Sequence, residues 1–182
     1  MSAGGFDDSI APDNTTGSSA ALTAGDKVVY PGHGPCGIGR LVKREVDGRS
    51  MMFYHLTVLD DSGGELFVPV EKASATGLRS LIEKSEIPLL LAHLKKSVRT
   101  ADTWKERASD NMKLLATGSP FDLAEIVASL TELGDRRSLT LGESGTLGRA
   151  RRLLVCEISE VMGETKTMAE EQVDQALKAK SG

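Results

Sequence analysis

The chain offers few side chains suited to making or breaking bonds. His33, His55 and His93 are its three histidines, and none has the Cys or carboxylate spacing of a metal site. Gly32-His33-Gly34 reads as turn geometry. Cys36 and Cys156 are the two cysteines. They lie far apart in segments assigned to different domains, so neither a disulfide framework nor a metal cluster follows, and a reducing compartment is the default. The carboxylates are scattered without a converging base or nucleophile. Gly32, Gly34, Gly37 and Gly39 do not follow a strand and open a helix, as a phosphate-binding loop would. The expectation is a protein that is not an enzyme, with no cofactor and no metal.

The chemistry that remains is recognition. Trp104 is the one tryptophan of the chain, and Lys105 and Arg107 stand beside it. A flat apolar ring can insert at a base step from the minor groove while neighbouring cations hold the phosphates. Taken alone, a single Trp in a helical pattern is more often buried in the core, so composition by itself favours the bundle interior over a wedge.

The net charge of −4 hides a strong polarisation. Residues 95–113 carry six bases against three acids, and residues 136–152 carry Arg136, Arg137, Arg149, Arg151 and Arg152 against Glu143 alone. Residues 157–174 reverse the sign, with six acids against Lys166. The basic stretches either meet phosphates or form a solvated face.

These residues need a scaffold to position them. Residues 1–23, rich in Gly, Ser, Thr, Ala and Asp without apolar periodicity, read as a disordered tail. They carry no basic residue and no continuous apolar run, so they are not a secretion signal. No apolar stretch approaches the length needed to cross a bilayer.

From residue 24 to 82, short β-like runs at 27–30, 36–45, 51–59 and 65–70 alternate with turn residues, and Asp47-Gly48 is a hairpin signal. Four or five strands in so short a span suggest a small SH3-like or Tudor-like barrel. After Gly77 the period becomes helical, and five helices are expected between about residues 85 and 180. Proposed caps are Ser85, Asp102 or Thr103, Ser119, Thr140 and Thr167, with stops at Gly118 and Gly134. The expected architecture is α+β and multidomain: the tail, a Tudor-like domain at 24–82 and a compact five-helix domain at 83–182, meeting near residues 78–87.

The segment Gly25-Asp26-Lys27-Val28-Val29-Tyr30-Pro31-Gly32-His33-Gly34, with Val68-Pro69-Val70 and Gly77-Leu78-Arg79, resembles the RNA polymerase-interacting domain shared by CarD, CdnL and the transcription-repair coupling factor. Thr103-Trp104-Lys105-Glu106-Arg107, then Leu114-Leu115-Ala116-Thr117-Gly118-Ser119, Ala124-Glu125-Ile126-Val127 and Leu130, resemble the CarD/CdnL helical domain. Helicase motifs of the coupling factor are absent.

The resemblance implies a bacterial transcription regulator, cytoplasmic, monomeric and held at the nucleoid through RNA polymerase. Its Tudor-like module would dock on the polymerase β subunit by strand pairing at a sheet edge, where unpaired backbone groups supply directional bonds. Arg44, Val46, Phe67 and Pro69 fall where the family makes that contact. On their own terms, Val46 and Phe67 could equally be core residues and Arg44 a solvated charge.

The helical domain would meet promoter DNA through Trp104, Lys105, Arg107, Arg149, Arg151 and Arg152, mainly at backbone and minor groove, and stabilise the open promoter complex. This chain has Glu106 and Ser109 where relatives carry bases, and Gly142-Glu143-Ser144-Gly145 where they carry Lys or Arg. Each lost phosphate contact lowers affinity and salt dependence together, so the DNA contact is expected to be weak.

Overall fold

The computed structural model describes residues 22–96 and 103–180. The expected tail, apart from its last two residues, and Asp102 lie outside them.

Five strands, β1 (Lys27–Tyr30), β2 (Gly34–Val46), β3 (Arg49–Val58), β4 (Glu65–Pro69) and β5 (Arg79–Ser80), form one antiparallel sheet in the order β4-β3-β2-β1-β5. A 3-10 turn at Val70–Lys72 follows β4, and β5 returns to pair with β1, the connectivity of a Tudor-like sheet. Asp47 and Gly48 both take positive φ, 50° and 73°, as a tight hairpin turn matched to strand twist requires. A register shift between Ile38 and Leu41 bends β2, which curls the sheet.

Alternation along β3 separates two faces. Tyr54, Leu56 and Val58 join Val28, Cys36, Ile38, Val68 and Ala73 in the sheet core, and Phe53, His55 and Thr57 point the other way. Residues 43–50 are exposed throughout, so the β2–β3 hairpin projects beyond that core.

The helices are α1 (Ile87–Leu94), α2 (Trp104–Thr117), α3 (Pro120–Arg136), α4 (Leu141–Met162) and α5 (Lys166–Lys178). Leu90, Leu94, Ile126, Leu130, Leu154 and Ile158 are fully buried at their centre. Thr103 and Thr140 form capping boxes with Glu106 and Glu143, satisfying amide donors that helix starts leave open.

Three expected boundaries move. Ser85 lies inside a 3-10 turn, Lys84–Glu86, boxed by Glu83 and Glu86, and α1 starts from Glu86. Thr165, not Thr167, caps α5 by accepting from the Met168 amide. Helix α3 passes Gly134 and ends at Arg136, and Leu139 folds back over Gly134, where a Cβ would stand 3.5 Å from its Cγ.

The two domains pack together over more than the expected 78–87 stretch. Lys27 pairs with Glu160 and Lys166 with Asp61, each at 2.7 Å. A Cβ on Gly34 would stand 3.1 Å from Leu153 Cδ2.

Candidate polymerase and nucleic-acid interfaces

Strand pairing brings the four residues expected to contact polymerase onto one face. Arg44 lies opposite Met51 and Val46 opposite Arg49, while Phe67 lies opposite His55 and Pro69 opposite Phe53. Met51, Phe53 and His55 alternate along β3, so all four side chains share the face that turns away from the sheet core. Val46 is 40% exposed and Phe67 38%, which removes the core alternative for both.

Arg44 Cζ sits 3.9 Å from the Phe67 ring centroid, and His55 stacks on that ring at 4.9 Å and 13°. The result is a cation, a ring and an imidazole in contact on a solvent-facing sheet. Strand β4, which carries Phe67 and Pro69, is at one end of the sheet order, and Pro69, lacking an N–H, suits an edge.

Trp104 is the first residue of α2 and is 63% exposed. The Thr103 cap fixes where the helix starts, and Lys105 Nζ lies 5.7 Å from the indole, within cation–π range. Trp104, Ala108 and Asn111 of α2 face Thr140, Gly142, Glu143 and Thr146 of α4 across an open groove of about 490 Å³. Apart from the Trp104 ring its lining side chains are small or polar, and Glu143 is the one carboxylate among them.

Two protein-family models match the chain. The one described as CarD-like/TRCF RID domain matches residues 22–82, and the one described as CarD, C-terminal domain matches residues 90–174. The chain belongs to the CarD/CdnL family. Its two matched parts are non-catalytic interaction domains, and the protein is a transcription factor that interacts with RNA polymerase.

In this CarD-family chain Lys105 alone, of the described bases expected to contact DNA, lies beside the tryptophan. Arg107 of α2 approaches Glu143 at 3.7 Å, and Arg137 binds the same carboxylate through two bonds of 2.8 and 3.0 Å. These bonds and the Thr140 amide hold the Glu143 carboxyl down at about 2. An internal anion thus occupies the N-terminus of α4, where backbone amides and the helix dipole favour one. Arg151 spends its guanidinium on Glu170 at 3.1 Å and Asp174 at 2.5 Å of α5.

Arg149 leans toward the Gly32 carbonyl at 3.4 Å. Arg152 is exposed and acts on Asp60, whose carboxyl is lowered chiefly by the Ser62 hydroxyl. None of the three α4 arginines lines the Trp104 groove. Arg136 pairs with Glu132 on its own helix.

Sequence reasoning passed over the His55–Phe67 stack, the Arg137–Glu143–Arg107 junction and a part-buried Arg79–Glu157 pair. The first was recoverable from register, since His55 and Phe67 become neighbours once β3 and β4 are aligned. Arg107–Glu143 and Arg79–Glu157 join residues far apart in the chain. Burial pushes the Cys36 thiol up to about 11 and raises Cys156 as well, which leaves both chemically quiet. Among the described residues, no group of three or more His, Cys, Asp and Glu could hold a metal ion, and no helix is long and apolar enough to cross a membrane.

Proposed function

We propose that this CarD-family protein docks on the RNA polymerase β subunit through the exposed face formed by Arg44, Val46, Phe67 and Pro69, and that its helical domain contacts promoter DNA at the upstream edge of the transcription bubble. The observation that carries the reading is the pairing of two separate exposed aromatic sites in one folded chain. Phe67 lies under Arg44 on a sheet edge, and Trp104 stands at the tip of a helix. A factor that binds the open promoter complex more tightly than the closed one raises the open population by that difference in affinity, with no chemistry required. The setting is cytoplasmic, at the nucleoid, and the acting form is a monomer.

On this reading Trp104 and Lys105 make the principal DNA contact, with exposed Arg149 and Arg152 as lesser phosphate partners. Arg107 and Arg151 serve the fold, since each is engaged by carboxylates of neighbouring elements. Contact with DNA is therefore weak and mostly to backbone and minor groove. Anchoring to polymerase makes it effectively intramolecular, which allows a weak contact to suffice.

The same pairing of Arg107, Arg137 and Arg151 with carboxylates favours a second reading, in which the helical domain binds another regulatory protein instead of DNA. Two measurements separate these. Titration of the folded protein against the isolated polymerase β lobe gives saturable binding under either reading, and its absence removes both. Footprinting of the polymerase–promoter complex then shows added protection at the upstream bubble edge only if the DNA reading holds.

A further inference from the structure

The Gly77-Leu78-Arg79 segment closes the sheet domain, yet neither proposed interface uses it. Gly77 takes a φ of 79°, and a Cβ there would stand 3.0 Å from Pro31 Cγ. The segment therefore turns tightly against the β1–β2 loop and delivers Arg79 to the seam between the domains.

Arg79 uses all five of its N–H donors there. Nε and Nη2 donate to the Gly118 carbonyl at 3.2 and 2.6 Å. Nη1 donates to Ser80 O at 3.0 Å and to Glu157 Oε1 at 2.8 Å, and Nη2 donates to Glu157 Oε2 at 2.8 Å. Glu157 of α4 is 1% exposed and also accepts from the Ile82 amide at 3.2 Å.

Gly118 is the C-cap of α2, in the left-handed conformation at φ 67°. A Cβ on it would stand 3.0 Å from Pro31 Cγ and 3.2 Å from Pro31 Cα. The end of the tryptophan helix is thus pinned twice by the sheet domain, once by Pro31 in close packing and once by a guanidinium set against its terminal carbonyl. A cation there also meets the negative end of the helix dipole.

We infer that Arg79, clamped between Glu157 and the Gly118 carbonyl, is a positioning residue that fixes helix α2, and with it Trp104, relative to the polymerase-docking sheet. This rests on the reading of Trp104 given above. Helix α2 has 14 residues, which at about 1.5 Å each puts Trp104 roughly 20 Å from the pivot. A tilt of about 10° at Gly118 would move the ring by roughly 3.5 Å, the height of about one base step. Burying an ion pair seldom adds stability over an apolar substitute, but a fork of directed bonds defines an orientation that apolar packing leaves loose.

Lysine keeps the charge but has three donors on a single nitrogen and cannot span both acceptors in this geometry. The test uses the full chain with nitroxide labels at Ala75→Cys and Ser109→Cys, both exposed sites, while native Cys36 and Cys156 are buried. The expected wild-type result is one narrow distance distribution, which Arg79→Lys, and independently Glu157→Gln, broadens. Polymerase-lobe binding stays at the wild-type value, and promoter opening falls to the level of Trp104→Ala.

An unchanged distance distribution in both folded variants overturns the inference. So does a broadened distribution with opening retained, provided that Trp104→Ala has lost it. If Trp104→Ala itself opens promoters fully, the reading of Trp104 falls instead, and the distance measurement alone decides whether the clamp fixes the helix.

Discussion

The sheet face and the helical domain treat their charges in opposite ways. On the sheet, Arg44 lies over Phe67 and presents its guanidinium beside an exposed ring. In the helical domain, Arg107 and Arg137 converge on Glu143 and Arg151 on Glu170 and Asp174, so much of the basic character visible in the sequence is consumed in joining α2, α4 and α5. One domain holds a cation ready for a partner, and the other spends several of its arginines on its own architecture. Affinity should therefore reside in the sheet, while the helical domain contributes a geometric effect through one ring.

The sharpest way to break this contrast is Arg44→Glu. Reversing a charge seated on an interface aromatic should cost the polymerase-lobe contact about 2 kcal/mol or more, roughly a 30-fold loss of affinity. Calorimetric titration against the lobe reads it, and the Tm should be unchanged because Arg44 is exposed. Wild-type affinity in the variant would move docking off this face. Trp104→Ala should do the converse, leaving lobe affinity intact and lowering promoter opening by about tenfold, the loss expected for about 1–3 kcal/mol of base stacking. A large drop in Tm would instead assign the ring a role in the core, against its exposure of 63%.

The legibility of the two regions differs for a physical reason. Strand contacts follow from alternation and turn type, so the Asp47-Gly48 hairpin is legible locally, whereas Arg44, Val46, Phe67 and Pro69 stand out only through the family resemblance. One register then placed Arg44, Val46, Phe67 and Pro69 together. The capping box at Thr140 is equally local and legible, whereas the start of α2 is left open between Asp102 and Thr103 until the Thr103–Glu106 box decides it. The partners of Arg107, Arg151 and Arg79 were not legible, because each is set by how helices pack across 19 to 78 residues of chain. A run of arginines looks alike whether it faces phosphate or a carboxylate on the next helix. The shift of the α5 cap from Thr167 to Thr165 has a related cause: both threonines offer a hydroxyl near the helix start, and only the backbone geometry chooses between them.

Arg151→Ala sharpens the account of the spent cations. It should lower stability by about 1 kcal/mol, or 2–4 °C in Tm, since its partners Glu170 and Asp174 are half exposed and stay solvated. The salt dependence of promoter association should be unchanged. A reduced salt slope with an unaltered Tm would return Arg151 to the DNA contact and weaken the contrast between the domains.

A last effect concerns Glu143, and pH isolates it. Its carboxyl sits at about 2 against an ordinary 4.5, held there first by Arg137 and then by the Thr140 amide. A group lowered on folding contributes stability that is complete above its unfolded value and fades as pH falls through the folded one. The Tm difference between wild type and Glu143→Gln should therefore be constant above about pH 5 and shrink between about pH 4.5 and pH 2. The amide keeps the helix cap and loses only the anion, so this difference measures the ionic junction rather than the capping box. If the gap persists undiminished at pH 2, Arg137 and Arg107 are not held by charge at this site, and both become candidates for phosphate contact after all.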